Sequence, residues 1–336
     1  MFRRLQFPLL LFCIGHLLTV NSLAQIELPG DPKPDLHVEL LQSRAYCRTM
    51  EMQIENIRKI YPNLAIQAVA ADAAWKTSPF AKGARNIEAD IRKQTKGEGN
   101  AMLEKIDAQL WEQVQPYIKM QSQEDALDFL TLVGRRAKGE IEVEMVRGNL
   151  LWQYPPYQEK PELEFTQGYT TSITHPQTSR VKVTFQRPMS WKIMKQENEQ
   201  LLGLLNCYGH GNVWCTVVIS PLKAADGTPL TADERYAAYN QEGLAEDYKT
   251  LGITLKSFTK TKLNGMPALM FTREQIHEQL GSKTLRAAEV IRVFHKGCSI
   301  SFQINTLGPV DSDLAEKRIQ RNDALFKQIA GSVRIE

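Results

Sequence analysis

The chain has 336 residues, 41 basic against 38 acidic side chains and an apolar share of 43%, which fits a folded protein with room for two cores. So even a charge balance excludes a long-range basic field, so neither nucleic acid nor an anionic lipid surface is an expected partner.

In chain order, Arg3 and Arg4 precede an apolar run from Phe7 to Val20 that closes on Ser22-Leu23-Ala24. A charged start, an apolar run too short to span a bilayer and small residues before the cut predict a signal peptide over residues 1–24. The mature chain is then expected to begin near Gln25, outside the cytoplasm (periplasmic or secreted), with no stable membrane insertion after cleavage. An uncleaved anchor is the competing reading. Pro29, Pro32 and Pro34 follow the run without a basic stop-transfer cluster, which disfavours it.

Residues 35–137 read as a helical domain. Leu36, Leu40, Met50, Ile54, Ile57 and Ile60 recur at three- and four-residue steps until Tyr61-Pro62. Ile87 and Ile91 mark a second stretch, broken at Lys96-Gly97-Glu98-Gly99. Met102, Leu103, Ile106, Leu110 and Val114 mark a third. Ser122 with Asp125 predicts a capped start for a fourth, ahead of Leu127, Leu130 and Val133. Residues 138–165, with Trp152, Tyr154, Pro155, Pro156, Tyr157 and Pro161, are expected to be an aromatic and proline-rich connector.

From 166 to 336 the pattern turns to strands. Tyr169 to Thr174, Val181 to Phe185, Val213 to Ile219, Thr254 to Leu263, Pro267 to Thr272, Ala288 to His295 and Cys298 to Asn305 are the predicted strands, most of them alternating in steps of two. Asn264-Gly265 and Lys296-Gly297 are the predicted turns. Helices are expected after Thr231 and from Asp311 to Ala330. The resulting class is α+β, an antiparallel sheet with helices packed on it.

Cys47, Cys207, Cys215 and Cys298 follow the leader. An even number in an oxidising compartment favours disulfides. A Cys207–Cys215 bridge would close a short glycine-bearing loop, worth roughly 2.5 kcal/mol on chain entropy. Cys47 with Cys298 is a further pairing left open.

Several residues carry a resemblance. Val183 to Trp191, with Pro188 and Trp191 at its corner, is similar to the opening strand of the Mog1/PsbP-like fold family. Gly265-Met266-Pro267-Ala268 resembles that family's turn before a long strand, and Arg292-Val293-Phe294 with Ser299 to Phe302 resembles its closing hairpin. The resemblance covers roughly residues 168–336. It implies a three-layer α/β/α module that binds proteins, in a family that includes bacterial periplasmic members. It supplies no catalytic residues, and the Cys207–Cys215 loop departs from its pattern.

The chemistry in the chain is sparse. Cys207, His210 and Cys215, with His175 or His295 as a fourth, are potential metal ligands, but the two thiols are expected to pair with each other first. Cys298 lies three residues from His295, so the two point to opposite faces of a strand pair. No Gly-x-Ser-x-Gly, Walker or dinucleotide motif occurs. No catalytic residue, metal or cofactor is therefore expected. Tyr208, His210 and Trp214, on a constrained loop, and Trp152 and Tyr154 in the connector are the candidate contact residues. The expected function is an exported, non-catalytic binding or assembly factor with a protein partner in a bacterial envelope. A hydrolase or other enzyme with a site between the domains is the alternative.

Overall fold

The computed structural model describes residues 36–336 except 96, 119–121, 168, 175–180, 195–200, 210–211, 224–226, 280–281 and 296. The chain forms two compact units that meet in sequence at Gln158 and Glu159.

The first unit is helical: α1 (Leu36–Ile60), α2 (Ala65–Thr77), α3 (Pro79–Gln94), α4 (Gly99–Ile118), α5 (Gln123–Arg136), α6 (Glu144–Trp152) and the single turn α7 (Pro155–Glu159). α1 is the hub and touches α2, α3, α4, α5 and α6. Its apolar side chains Leu40, Met50, Ile54 and Ile57 are buried, and so is Arg44. The Arg44 guanidinium is matched by carboxylates from two other helices, Glu88 of α3 at 2.9 Å and Asp107 of α4, and Arg48 adds a second bond to Asp107 at 2.8 Å. A buried cation without such partners would cost several kcal/mol, so this network ties α1 to α3 and α4.

The caps follow the sequence. Ser122 caps α5 and exchanges hydrogen bonds with Asp125 as the spacing predicts, and Ser78 caps α3 with Pro79 at its first position. Within residues 138–165, α6 and α7 are ordered helices. α6 buries Val146, Leu150 and Leu151 against α1 and α3, so these residues complete the helical core. The apolar spacing inside Val146 to Leu151 outweighs the flanking aromatic and proline residues.

The second unit begins with a 3-10 segment (Pro161–Gln167) and continues as β1 (Tyr169–Thr174), β2 (Lys182–Arg187), β3 (Trp191–Met194), β4 (Leu201–Cys207), β5 (Val213–Pro221), α8 (Ala232–Ala238), α9 (Gln241–Lys249), β6 (Ile253–Leu263), β7 (Met266–Gln279), β8 (Ser282–His295), β9 (Cys298–Pro309), α10 (Leu314–Gly331) and β10 (Arg334–Ile335). Seven strands form one antiparallel sheet in the order β3-β4-β5-β9-β8-β7-β6, and β1-β2-β10 form a smaller one. Asn264 and Gly265 both take positive φ (51° and 80°), the geometry of the two-residue hairpin that their sequence predicts.

Alternation along the strands gives the sheet two different faces. On one, Val217, Ile219, Ile291, Val293, Ile300, Phe302 and Ile304 pack with Leu325, Phe326 and Ile329 of α10. On the other, Leu269, Phe271, Val290 and Phe294 lie under Tyr236, Tyr239, Leu244 and Tyr248 from α8, α9 and their junction. The unit is thus a helix–sheet–helix sandwich. Among the described residues no helix is long and apolar enough to cross a membrane.

At the corner between β2 and β3, the buried carboxylate of Glu164 accepts hydrogen bonds from the backbone N–H of Ser190 and from its hydroxyl, the latter at 2.6 Å. Burial pushes this carboxyl from 4.5 up to about 7, against the opposing pull of the Ser190 bonds and of Arg187.

Two predictions follow from these contacts. A Cβ at Gly83 of α3 would overlap the Leu150 carbonyl of α6, so Gly83→Ala should destabilise the helical unit by about 1–3 kcal/mol, read as a lower midpoint in thermal unfolding. For Glu164, the folded state holds a proton more tightly than the unfolded one. Its contribution to stability is therefore complete below about pH 4.5 and is lost as pH rises through about 7. In urea unfolding, the stability of wild type relative to Glu164→Gln should fall across that window by up to ~1.4 kcal/mol per pH unit; a pH-independent difference would refute it.

Candidate functional site, an arginine and aromatic face

The helix-bearing face opposite α10 carries a feature that alternation alone does not explain. Phe271 and Arg273 of β7, and Arg286, Val290 and Arg292 of β8, share this face with Ser301, Gln303 and Asn305 of β9 and with Trp214 and Thr216 of β5. α8 contacts β7 and β8 and α9 contacts β6, so the helices lie on that side of the sheet.

Each arginine reaches sideways to β9. Arg292 donates through Nε to the Ser301 hydroxyl at 3.0 Å and through Nη1 to the Tyr239 hydroxyl at 3.0 Å. Arg273 donates through Nη2 to Gln303 Oε1 at 2.9 Å. Arg286 donates through Nε and Nη2 to Asn305 Oδ1, at 3.2 and 2.8 Å. Asn305 is fully buried and donates its own amide N–H to the Gln303 carbonyl at 3.0 Å, which fixes its oxygen toward Arg286. Rings complete the cradle. The Arg286 guanidinium lies 5.4 Å from the Trp214 ring, that of Arg273 5.6 Å from Tyr248, and that of Arg292 5.6 Å from both Tyr239 and Phe271.

All of these partners are neutral. Among the described residues no carboxylate pairs with Arg273, Arg286 or Arg292. Burial lowers the pKa of Arg273 and Arg286, and the neighbouring positive charge (Arg292 on the first, Arg273 on the second) lowers each further. The buried Arg273 Nε has no hydrogen-bond partner. The same face thus concentrates positive charge without compensating it.

The residues singled out from sequence fare unevenly. Trp214 lies half-buried on this face and belongs to the cradle. Tyr208 is only 6% exposed, with the Lys192 ammonium 5.1 Å from its ring. His210 lies outside the described residues. Trp152 and Tyr154, both half-buried, belong to the helical unit, where Tyr154 meets Tyr157 edge-on at 4.8 Å and Lys82 sits 5.9 Å from its ring. The arginines were not singled out. Their only signal in the sequence is basic residues at even spacing in β8, and their convergence depends on strand register.

The expected Cys207–Cys215 bridge is not formed. None of Cys47, Cys207, Cys215 and Cys298 is in a disulfide. Cys215 pairs with Leu205 across β4 and β5, which leaves Cys207 two positions away on the diagonal. Diagonal neighbours stand roughly 7–8 Å apart, beyond the reach of a disulfide. Cys207 and Cys215 lie in consecutive strands, not at the two ends of a tight loop. Cys47 and Cys298 lie in different units and are likewise free.

No family model matches the chain, and no curated protein does. Solved structures match about half of it. They include the cyanobacterial PsbP of Synechocystis (14% identity, 50% of this chain and 92% of that one, TM-score 0.31). Another is LpqN of Mycobacterium tuberculosis, described as involved in cell envelope biogenesis (13%, 50% and 91%, TM-score 0.33). A third is the Ran-binding protein Mog1p of Saccharomyces cerevisiae (10%, 50% and 95%, TM-score 0.31). These matches accord with the Mog1/PsbP-like fold expected for part of the chain.

Burial pushes the Cys215 thiol up to about 12 and Cys47 well above its ordinary value, which removes the reactive thiolate. In native protein at pH 8, half-buried Cys207 should therefore react first with an aromatic disulfide reagent, and Cys47 and Cys215 only after unfolding. A mass lower by one bridge in the peptides holding Cys207 and Cys215 would overturn this assignment.

Proposed function

We propose that this protein is an exported, non-catalytic binding or assembly factor of a bacterial-type envelope, and that it acts by protein–protein contact through the Trp214 face of its second unit. The carrying observation is the uncompensated cradle itself. Guanidinium groups do not donate or accept protons at physiological pH, so a row of them held by neutral oxygens and rings is suited to holding an acceptor-rich surface, not to general acid–base work. The leader-like residues 1–24 support export, and the burial of Cys47 and Cys215 lets free thiols persist in an oxidising space. Aromatic and arginine side chains are also the ones that most often dominate protein interfaces.

The test is affinity capture from envelope extract with tagged mature protein, wild type and Trp214→Ala in parallel, each first shown to be folded by near-ultraviolet circular dichroism. Recovery of a specific partner should fall at least about tenfold with Trp214→Ala, the scale of an interface hot spot. Equal recovery of the same partners by both proteins would remove this face from the contact.

A further inference from the structure

The contacts of the three arginines have a regular spacing. Ser301, Gln303 and Asn305 are successive same-face residues of β9, and they receive Arg292, Arg273 and Arg286 respectively. Same-face neighbours on a strand are about 7 Å apart. The three guanidinium groups are therefore anchored as a row, one every two residues along β9, with the half-buried Trp214 and Thr216 of β5 beside it.

From this row we infer that the face binds an extended acidic segment of a protein partner, with carboxylates at alternate residues matching the arginines one for one. This inference rests on the protein-contact reading above and gives it a chemistry. An extended chain repeats its same-side side chains at the same interval of about 7 Å as the strand beneath it. A single phosphate or sulfate is too small to meet three cations spaced in that way. A lipid surface is flat, whereas this row lies on the same side of the sheet as α8 and α9.

Charge complementarity points the same way. The hydrogen bonds use one edge of each guanidinium and leave donors over: Arg286 Nη1, Arg292 Nη2 and Arg273 Nη1. A ring against the flat side of a guanidinium leaves its in-plane N–H groups for a carboxylate, the arrangement in which arginine binds acids with two parallel bonds. A carboxylate at each position would offset both the burial that lowers the pKa of Arg273 and Arg286 and the smaller repulsion from a neighbouring arginine.

The experiment uses the mature full-length chain and fluorescein-labelled peptides that alternate glutamate with threonine, or glutamine with threonine. The expected result is saturable binding of the glutamate peptide that weakens with salt, and binding at least about tenfold weaker for the glutamine peptide. Arg273→Gln and Arg286→Gln should each cost about tenfold, the scale of losing a charge-assisted bond. Arg286→Lys, which keeps the charge but loses the fork and is the milder change for folding, should fall between wild type and Arg286→Gln. Equal affinity for the two peptides, or wild-type affinity in folded Arg→Gln variants, would overturn the inference. So would displacement of the peptide by millimolar inorganic phosphate, or tighter binding to phosphatidylglycerol vesicles than to the peptide. If the glutamate peptide fails while Trp214→Ala still loses its captured partner, the acidic segment is wrong and the protein contact stands. If the peptide binds as expected while Trp214→Ala captures the same partners, the acid-binding row stands and the protein-contact reading fails.

Discussion

Strict two-residue alternation along β7, β8 and β9 is the constraint on which the second unit depends. It sends Ile291, Val293, Ile300, Phe302 and Ile304 toward α10 and leaves every other position to the opposite face. Had β8 slipped by a residue, Arg286 and Arg292 would lie on the α10 side and Ile291 and Val293 would face Tyr239 and Tyr248. The apolar side fixes the register, and the register then brings three cations together. The arginine row follows from a packing requirement met on the far side of the sheet.

The contrast with the first unit shows how unusual that row is. Where the helical unit buries a guanidinium, it supplies acid: Arg44 meets Glu88 and Asp107, and Arg136 meets Glu142. Those pairs offset the desolvation cost of the charge, and the Arg44 pairs also tie helices together. In the second unit the same chain places acid elsewhere. Glu289 of β8 points away from the row, to the α10 side, where it lies beside Asp323 and Lys327 and is pushed up to about 7 by burial and by Asp323. One strand thus separates its charges by face, and among the described residues the arginine face is held by neutral oxygens and rings. Such contacts orient a guanidinium without neutralising it.

Much of the architecture was legible in the sequence because its cues are local. The periodic Leu and Ile residues of α1, the Ser122–Asp125 cap of α5, the Asn264-Gly265 hairpin turn and the alternation of β5, β8 and β9 each declare themselves within a few residues. The failures have local causes too. α2 is alanine-rich and exposes Ile66 and Val69 while burying Ala68 and Ala71, so its apolar contrast is inverted. α6 is hidden by the prolines and aromatic residues that follow it. β4, Leu201–Cys207, has leucines on both sides of a glycine and no two-residue rhythm to reveal it. Missing β4 is what made Cys207 and Cys215 look like the two ends of a loop.

The candidate site was less legible than the fold, for a reason that holds beyond this chain. Trp214 could be picked out alone because a tryptophan on a strand is conspicuous by type. Arg273, Arg286 and Arg292 are ordinary surface residues by type, and only the pairing of β7 with β8 and of β8 with β9 makes them neighbours. Nor does the sequence show that their oxygen partners would be Ser301, Gln303 and Asn305 instead of acids. What distinguishes these arginines is a relation, namely the lack of a counter-charge among the described residues at positions where the fold has already paired them with something else. The near-neutral total charge of the chain conceals this, since a balanced sum says nothing about how the two signs divide between the faces of a sheet.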